Sequence, residues 1–279
     1  MPDFTNKVVI ITGANSPLGI GLATAHELAA GSAKAIYICD LSTDHLENNA
    51  AELRKAHPKT DIIVKSFDAG DEEALKAVIN EAMSTYSRLD IFFANAGIIG
   101  SRTPLSTTTT QTFSQVLHTN TTSVFLALKH ASAAMLRSPS PSTASFIATA
   151  SVAGLRNGAG PMAYSASKAA VINIVQNGAW ELGGTGIRIN AICPGLIETG
   201  MTNELFIQAR EKGRLSLVGQ LNPLRRYGVA KEIAKVVAFL ASEEAGYVNG
   251  QAWAVDGGLS ASLPVIPPKP KVRKEGSKL

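Results

Sequence analysis

Cysteine is scarce in this sequence, which contains only Cys39 and Cys193 among its 279 residues. Both lie inside apolar runs, which predicts two small buried thiols and no disulfide framework. The five histidines have no metal-ligand spacing, so no metal site is predicted. So few cysteines fit a reducing compartment.

Long apolar runs are also missing. No segment approaches the roughly 20 consecutive apolar residues that a membrane-spanning helix needs, so we expect no membrane partner. The polar start, Met1 to Lys7, leads directly into the first apolar run and leaves no room for a secretory signal.

The positive charge is confined to the end of the chain. The net charge is +4, and the five basic and one acidic residues after position 262 account for all of it. Because the rest is neutral, nucleic-acid binding is not predicted. This end is also rich in proline and lacks periodicity. We predict one domain at residues 1–262 and a flexible basic tail at residues 263–279.

Seven short runs rich in Val, Ile and aromatic residues predict strands. They are Val8–Ile11, Ala35–Cys39, Ile62–Val64, Ile91–Ala94, Phe146–Ala148, Ile187–Ile192 and Ala252–Val255. Segments with apolar residues at helical spacing lie between them. Alternation of helices with continuously apolar strands predicts an α/β fold, a single doubly wound domain whose seven-stranded parallel sheet carries helices on both faces.

The sequence TGANSPLGIG follows the first strand, at Thr12–Gly21, and precedes a helical pattern. A glycine-bearing turn of this kind aims backbone N–H groups and the positive end of a helix at a pyrophosphate. The second strand ends at Asp40, whose carboxylate can accept hydrogen bonds from both ribose hydroxyls of an adenosine. Asp40 would repel a 2′-phosphate, and neither Leu41 nor Ser16 offers a compensating positive charge, so NAD(H) is favoured over NADP(H). The alternative is that Asp40 only begins a surface turn.

Several motifs in the expected order resemble the short-chain dehydrogenase/reductase family, over nearly all of Thr5–Ser260. The family's TGxxxGxG loop is matched at Thr12–Gly21, its Asp-Ala pair at Asp68-Ala69 and its NAG motif at Asn95–Gly97. The resemblance implies a Rossmann fold and an oxidoreductase that moves a hydride between a nicotinamide dinucleotide and a secondary alcohol or ketone.

The cofactor contacts follow from the loop and from this resemblance. Asp68 is expected to face the adenine, and the PGxxxT stretch that ends at Thr199 is expected to receive the nicotinamide carboxamide. The full predicted set is Gly13, Asn15, Ser16, Leu18, Gly19, Asp40, Leu41, Asp68, Ala69, Asn95, Ala96, Gly97, Tyr164, Lys168, Pro194, Gly195, Ile197 and Thr199.

The sequence departs from the family pattern at Pro17, which replaces the middle glycine of the loop. Proline fixes φ near about −65° and supplies no N–H, so other donors must hold the phosphates. Since proline is favoured at the first position of a helix, we expect Pro17 to lie there in a loop that still functions.

Tyr164 and Lys168 lie four residues apart in a helical segment and therefore on one face. A tyrosine with a pKa of about 10 can act near neutral pH only if that pKa falls by about 3 units. A lysine ammonium one turn away, together with the positive charge of an oxidised nicotinamide, acts in that direction. The family gives this acid/base role to its YxxxK pair. In isolation, such a pair would mark an exposed helix face.

Two further residues match the family's active site. Ser151 lies at the end of the fifth strand, thirteen residues before Tyr164 as in family members, and its hydroxyl can hold the substrate oxygen. Asn120 matches the asparagine that in this family holds a water bound to the lysine. Alone, Ser151 would be interpreted as a helix cap and Asn120 as an interior polar group. Together, Asn120, Ser151, Tyr164 and Lys168 predict a catalytic set.

The region between Pro194 and Gly228 corresponds, by resemblance, to the family's substrate-covering lid. Its apolar residues predict a hydrophobic alcohol or ketone substrate. Its four arginines indicate either contact with an anionic tail, such as that of coenzyme A, or a solvated face. They are Arg210, Arg214, Arg225 and Arg226.

Assembly and location can also be predicted. Helical segments around Asn120–Met135 and Ala163–Leu182 correspond to those that form a dimer interface in relatives, which implies a homodimer or homotetramer. The final residues, Ser277, Lys278 and Leu279, spell a peroxisomal import signal on the basic tail. They predict an import receptor as partner and a peroxisomal location, with a cytoplasmic location as the alternative.

Two other functions stay open at this point. One is an NADPH-dependent ketoreductase of a biosynthetic pathway. The other is a non-catalytic, dinucleotide-responsive binding protein, for which Pro17 is the main argument.

Overall fold

A computed structural model describes residues 2–263 of the chain, in which strands and helices alternate. The strands are β1 (Val8–Thr12), β2 (Ala35–Asp40), β3 (Asp61–Ser66), β4 (Ile91–Ala94), β5 (Ser145–Thr149), β6 (Arg188–Pro194), β7 (Ile197–Glu198), β8 (Gly228–Val229) and β9 (Ala252–Val255). The α-helices are α1 (Ile20–Ala30), α2 (Leu46–Ala56), α3 (Glu72–Tyr86), α4 (Thr110–Leu117), α5 (Ser123–Met135), α6 (Val152–Leu155), α7 (Met162–Glu181), α8 (Asn203–Glu211) and α9 (Ala230–Ala241).

Seven strands form one parallel sheet in the order β3-β2-β1-β4-β5-β6-β9. Ile10 in β1 pairs with Tyr37 on one side and with Phe92 on the other. The strand order reverses direction at β1, and a crevice therefore opens beyond the carboxyl ends of β1 and β4. The predicted doubly wound fold is confirmed, and each of the seven predicted strands ends within two residues of the observed one.

The sheet separates two hydrophobic cores, because successive side chains of a strand point to opposite faces. Val8 and Ile10 belong to the core that β1 shares with α3, α5 and α7. Val9 and Ile11 belong to the core shared with α1, α2 and α9. Strands with helices on both sides have no polar face, which explains their continuously apolar sequences.

Local sequence also sets where helices begin. Asp71 precedes α3, and its carboxylate accepts hydrogen bonds from the backbone N–H groups of Glu73 (3.0 Å) and Ala74 (3.2 Å). A carboxylate in this position satisfies two N–H groups that lack a helical partner and favourably opposes the helix dipole.

Some features differ from the sequence-based predictions or extend them. The short β7–β8 pair was not predicted, because two-residue strands carry no periodic signal. Cys39 and Cys193 are both buried and unpaired, as predicted. Within residues 2–263, no helix combines the length and hydrophobicity needed to cross a membrane. Apart from Leu263, the predicted tail at residues 263–279 lies outside the described residues.

Candidate active site

A cavity of about 960 Å³ opens at the carboxyl ends of the central strands. Because β2 and β5 lie on opposite sides of the β1–β4 pair, the cavity reaches from Asp40 and Asp68 to Ser151 and Tyr164. The predicted residues that line it are Gly13, Ser16, Gly19, Asp40, Leu41, Asp68, Ala69, Asn95, Ala96, Gly97, Ser151, Tyr164, Lys168, Pro194, Gly195, Ile197 and Thr199. Asn15, Leu18 and Asn120 lie outside this lining.

The loop after β1 contains a tight turn in which the Gly19 N–H donates to the Ser16 carbonyl oxygen (2.8 Å). Pro17 occupies the second position of this turn, where its fixed φ is favoured. Helix α1 begins only at Ile20, so the expectation that Pro17 is the first helical residue is wrong. Pro17 instead lies inside the turn from Ser16 to Gly19, and this turn ends before α1 starts.

The same loop packs directly on the Asn95–Gly97 segment. Gly13 has a φ of +72°, and a Cβ there would lie 2.9 Å from the Ala96 backbone, so only glycine allows this approach. The Asn95 amide donates to the carbonyl oxygens of Thr12 (3.1 Å) and Gly13 (3.0 Å). The two segments therefore form one cradle, and the N-terminus of α1 that follows it can face a dinucleotide pyrophosphate.

Asp40 stands at the end of β2, and backbone groups hold its carboxylate in place. One oxygen accepts from the Asn15 N–H (2.9 Å) and the other from the Ser42 N–H (3.1 Å). Each carboxylate oxygen can accept a further hydrogen bond, so Asp40 stays available to a ribose. The Asn15 side chain accepts from the His45 N–H (2.9 Å), which explains why Asn15 braces the loop from outside the cavity.

Ser151 follows β5 and caps the short helix α6, with its oxygen accepting from the Ala153 N–H (3.1 Å). The helix-cap interpretation and the catalytic one therefore hold together, because this contact uses a lone pair and leaves the hydroxyl proton free to donate. Gly154 then lets α6 approach α7 closely. A Cβ at this glycine would lie 2.7 Å from the carbonyl carbon of Lys168.

Lys168 is only 3% exposed, and its ammonium donates to the Thr149 carbonyl oxygen (2.7 Å). The Lys168 Nζ lies 5.7 Å from the centre of the Tyr164 ring. The structure thus brings Ser151, Tyr164 and Lys168 to one wall of the cavity, as the sequence predicted.

Burial dominates the electrostatics of this wall. It raises the pKa of Tyr164 above its ordinary value, while the hydrogen-bonding contact with the Ser151 side chain lowers it. It lowers the pKa of Lys168 from 10.5 to about 8. Within the protein alone, desolvation outweighs the favourable contacts of Tyr164, whereas the lowering predicted from the sequence also includes the positive charge of an oxidised nicotinamide. Burial also raises the pKa of Cys193 behind this wall to about 11, so it stays a neutral thiol.

Asn120 lies in a π-helical turn, His118–Thr122, between α4 and α5. It is fully buried, and a Cβ at Gly97 would lie 3.2 Å from the Asn120 Oδ1 and 3.4 Å from the Lys168 Nζ. Turns of this kind interrupt the regular ladder of helix hydrogen bonds and recur at functional sites. Asn120 is thus a supporting neighbour of Gly97 and Lys168 behind the cavity wall.

Specific contacts hold the lid region between Pro194 and Gly228 in place. Phe206 in α8 is buried against Tyr227, with ring centres 4.7 Å apart. Arg210 forms an ion pair with Glu198 in β7. Arg226 forms another, with Glu232, whose carboxylate lies 2.6 Å away. Two of the four lid arginines therefore already have carboxylate partners.

Sequence reasoning did not identify the residues that support the catalytic wall from behind. The Thr149 carbonyl holds Lys168, and the Ser167 hydroxyl accepts from the Asn120 amide (3.0 Å). A backbone carbonyl carries no sequence signal, and neither does a contact between residues 47 positions apart. Ser167 does stand directly before Lys168, so its place in the motif was the one available clue.

Comparison with known proteins identifies the family. A family model described as enoyl-(acyl carrier protein) reductase matches residues 13–260. Levodione reductase of Leifsonia aquatica is 38% identical over 262 residues, which cover 93% of this chain and 96% of that protein. A 3-oxoacyl-(acyl carrier protein) reductase of Thermotoga maritima is 36% identical, covering 91% and 97%. Meso-2,3-butanediol dehydrogenase of Serratia marcescens is 33% identical, covering 93% and 96%.

A solved structure agrees with these relatives. The crystal structure of levodione reductase superposes with a TM-score of 0.85 at 38% identity, covering 93% of this chain and all of that one. The chain belongs to the short-chain dehydrogenase/reductase family. It is an oxidoreductase of the Rossmann fold that acts on CH–OH groups and uses a nicotinamide dinucleotide.

The lowered pKa of Lys168 predicts a pH-dependent stability. Between pH 8 and 10.5 the unfolded chain binds a proton that the folded chain does not, so raising the pH relieves the cost of burying the ammonium. Lys168→Met has no such cost. We expect the stability advantage of this variant over the wild type to shrink by about 2 kcal/mol between pH 7 and pH 10, measured by urea unfolding.

Lys231→Met, at an exposed lysine on α9, is the matched control and should show a constant difference from the wild type. A constant difference for Lys168→Met as well would show that Lys168 is not held in a strongly desolvated site.

Proposed function

We propose that this protein is an NAD(H)-dependent dehydrogenase/reductase of uncharged, hydrophobic secondary alcohols and ketones, with Tyr164 as its acid/base. The observation that carries the proposal is the convergence of the Ser151 hydroxyl, the Tyr164 phenol and the buried Lys168 ammonium on one cavity wall. The bound nicotinamide gives or takes the hydride, and the chain's residues position the substrate oxygen and move its proton.

Tyr164 is suited to donate a proton during reduction. Burial raises its pKa and keeps it a neutral phenol at neutral pH. As hydride reaches the carbonyl carbon, the Tyr164 O–H bond breaks and the proton passes to the developing alkoxide. The Ser151 hydroxyl, whose oxygen is anchored by the Ala153 N–H, donates to the same oxygen. The Lys168 ammonium then stabilises the tyrosine phenolate that remains.

The charges around the adenosine end support NAD(H). Asp40 presents a fixed carboxylate, and the adjacent Leu41 is 68% exposed and carries no charge. Among the described residues that line the cavity, Lys168 is the only lysine or arginine, and it lies at the opposite end. A 2′-phosphate at Asp40 would therefore meet repulsion without a compensating cation.

The lid supports an uncharged substrate. Arg210 and Arg226 are paired with Glu198 and Glu232, and neither lines the cavity in the described structure. Arg214 and Arg225 do not line it either, so a substrate carboxylate or phosphate beneath the lid would lose its hydration without gaining an arginine partner.

An assay of Tyr164→Phe tests the proposal. We expect the wild type to oxidise NADH with a methylcyclohexanone, and to have a lower kcat/KM for the matching oxocyclohexanecarboxylate. The variant should lose at least about a hundredfold in kcat, because it has no phenolic proton to donate. Its affinity for NADH, followed by fluorescence, should change little.

Tyr247→Phe, at a fully exposed tyrosine, is the control and should keep wild-type turnover. Full activity in Tyr164→Phe would contradict the proposed acid/base. Dinucleotide binding without turnover of any ketone or alcohol by the wild type would instead support the non-catalytic alternative.

Cofactor preference can be tested at the end of β2. Asp40→Ala combined with Leu41→Arg removes a repulsion and adds a phosphate partner, so we expect the ratio of kcat/KM for NADPH over NADH to rise at least tenfold. Asp44→Ala, which removes a nearby carboxylate outside the cavity lining, should leave the ratio unchanged. A wild-type preference for NADPH would contradict the charge argument.

We also propose that the protein is imported into peroxisomes through Ser277, Lys278 and Leu279. These residues lie outside the described structure, and the proposal is supported by their position at the end of a basic, proline-rich tail. Deletion of the tripeptide should leave activity in vitro intact and move a fluorescently tagged protein from peroxisomes to the cytosol. Retained import by the deletion variant would contradict this location signal.

We also propose that the chain associates with a second copy of itself through α5 and α7. Phe125 on α5 and Trp180 on α7 are 51% and 86% exposed, which is unusual for such large apolar side chains. A second copy of the chain would cover them, in keeping with the predicted homodimer or homotetramer.

A further inference from the structure

Ser167 is a fully buried hydroxyl on α7, between the catalytic Tyr164 and Lys168. Its hydroxyl proton is donated to the Tyr164 carbonyl oxygen (2.7 Å). Its oxygen accepts from the Asn120 amide (3.0 Å). One hydroxyl therefore connects the catalytic helix with the π-helical turn His118–Thr122.

The Asn120 side chain depends on this contact to satisfy its hydrogen bonds. Its Oδ1 accepts from the Ile98 N–H (2.8 Å), and its amide also donates to the Ile98 carbonyl oxygen (2.8 Å). The Ser167 oxygen takes the remaining amide proton. Because Asn120 is fully buried, loss of the Ser167 hydroxyl would leave an amide N–H without a partner, and the side chain or its turn would have to move.

A second hydrogen bond fixes the same pair of elements. The Thr121 hydroxyl, in the π-helical turn, donates to the Ser167 carbonyl oxygen (3.2 Å). Side chain and backbone of Ser167 thus both contact this turn. Close to it, a Cβ on Gly97 would come within 3.4 Å of both the Asn120 Oδ1 and the Lys168 Nζ, so both groups border the same glycine.

We propose that Ser167 is a positioning residue: it holds the π-helical turn against α7 and thereby sets where the Lys168 ammonium lies relative to the Tyr164 phenol. This inference rests on the proposed acid/base role of Tyr164. Ser167 does not line the cavity, and its effect on the reaction passes through Asn120 and Lys168.

Ser165 provides a matched comparison on the same helix. It is only partly buried and its hydroxyl donates to the Gly160 carbonyl oxygen (3.3 Å), away from Asn120. Ser167→Ala and Ser165→Ala therefore remove the same group from positions two residues apart on α7, and only the first breaks the link to the π-helical turn.

The test compares the pH profile of kcat for alcohol oxidation, which requires the Tyr164 phenolate, in wild type, Ser167→Ala and Ser165→Ala. For Ser167→Ala we expect a tenfold or greater loss of kcat, a small change in KM, and a shift of the profile to higher pH by at least half a unit. Ser165→Ala should follow the wild type. Ser167→Thr, which keeps the hydroxyl, should recover most of the rate.

Urea unfolding of the same proteins separates positioning from stability. A Ser167→Ala variant that is less stable but keeps the wild-type kcat and pH profile would overturn the proposal. If Ser167→Ala does not fold, Ser167→Cys serves in its place, and a wild-type profile in that variant would overturn it equally. If wild type and Ser165→Ala both lack turnover, the proposed function itself fails.

Discussion

The structure of this site depends on the burial of one ammonium group. Lys168 lies almost completely out of solvent, with its charge directed at the Thr149 carbonyl, and burial lowers its pKa to about 8. Desolvation of this size is unfavourable for folding, so the surrounding structure must compensate for it. The parallel sheet does so by ending β5 at the point where a backbone carbonyl can accept from the lysine.

Glycines at two positions let backbone segments approach closely enough to build this site. Gly154 lets α6 contact α7 at Lys168, and Gly13 lets the phosphate loop contact the Asn95–Gly97 segment. The cradle lies at the end of β1 and the catalytic wall at the end of β5, with β4 between them. Both border the same cavity. Since the strand order reverses at β1, the cavity is open to a ligand that spans the two halves of the sheet, β1 to β3 and β4 to β6.

Much of the fold and of this site was accessible from sequence. Continuous apolar runs identified all seven sheet strands, and motif order brought Ser151, Tyr164 and Lys168 together. Interactions that depend on three-dimensional proximity were not accessible. The link between Asn120 and Ser167 joins residues far apart in sequence, and the π-helical turn interrupts an otherwise regular helical pattern.

Pro17 and Tyr164 each show a physical effect that the sequence pattern did not contain. Pro17 lies inside a turn that ends before α1, and Leu18 and Gly19 separate it from the first helical residue. The pKa of Tyr164 is raised, because its burial outweighs the hydrogen-bonding contact with Ser151. Charge proximity along a helix can be derived from residue spacing, whereas the degree of desolvation requires the folded structure.

Isotope transfer tests the central claim most directly. The protein would be incubated with a cyclic ketone and NADH that carries deuterium on the transferable position of the nicotinamide, and the product analysed by mass spectrometry and NMR. We expect one deuterium on the carbinol carbon of the alcohol. An unconverted ketone, or an alcohol that carries no deuterium on its carbinol carbon, would contradict hydride transfer to the carbonyl.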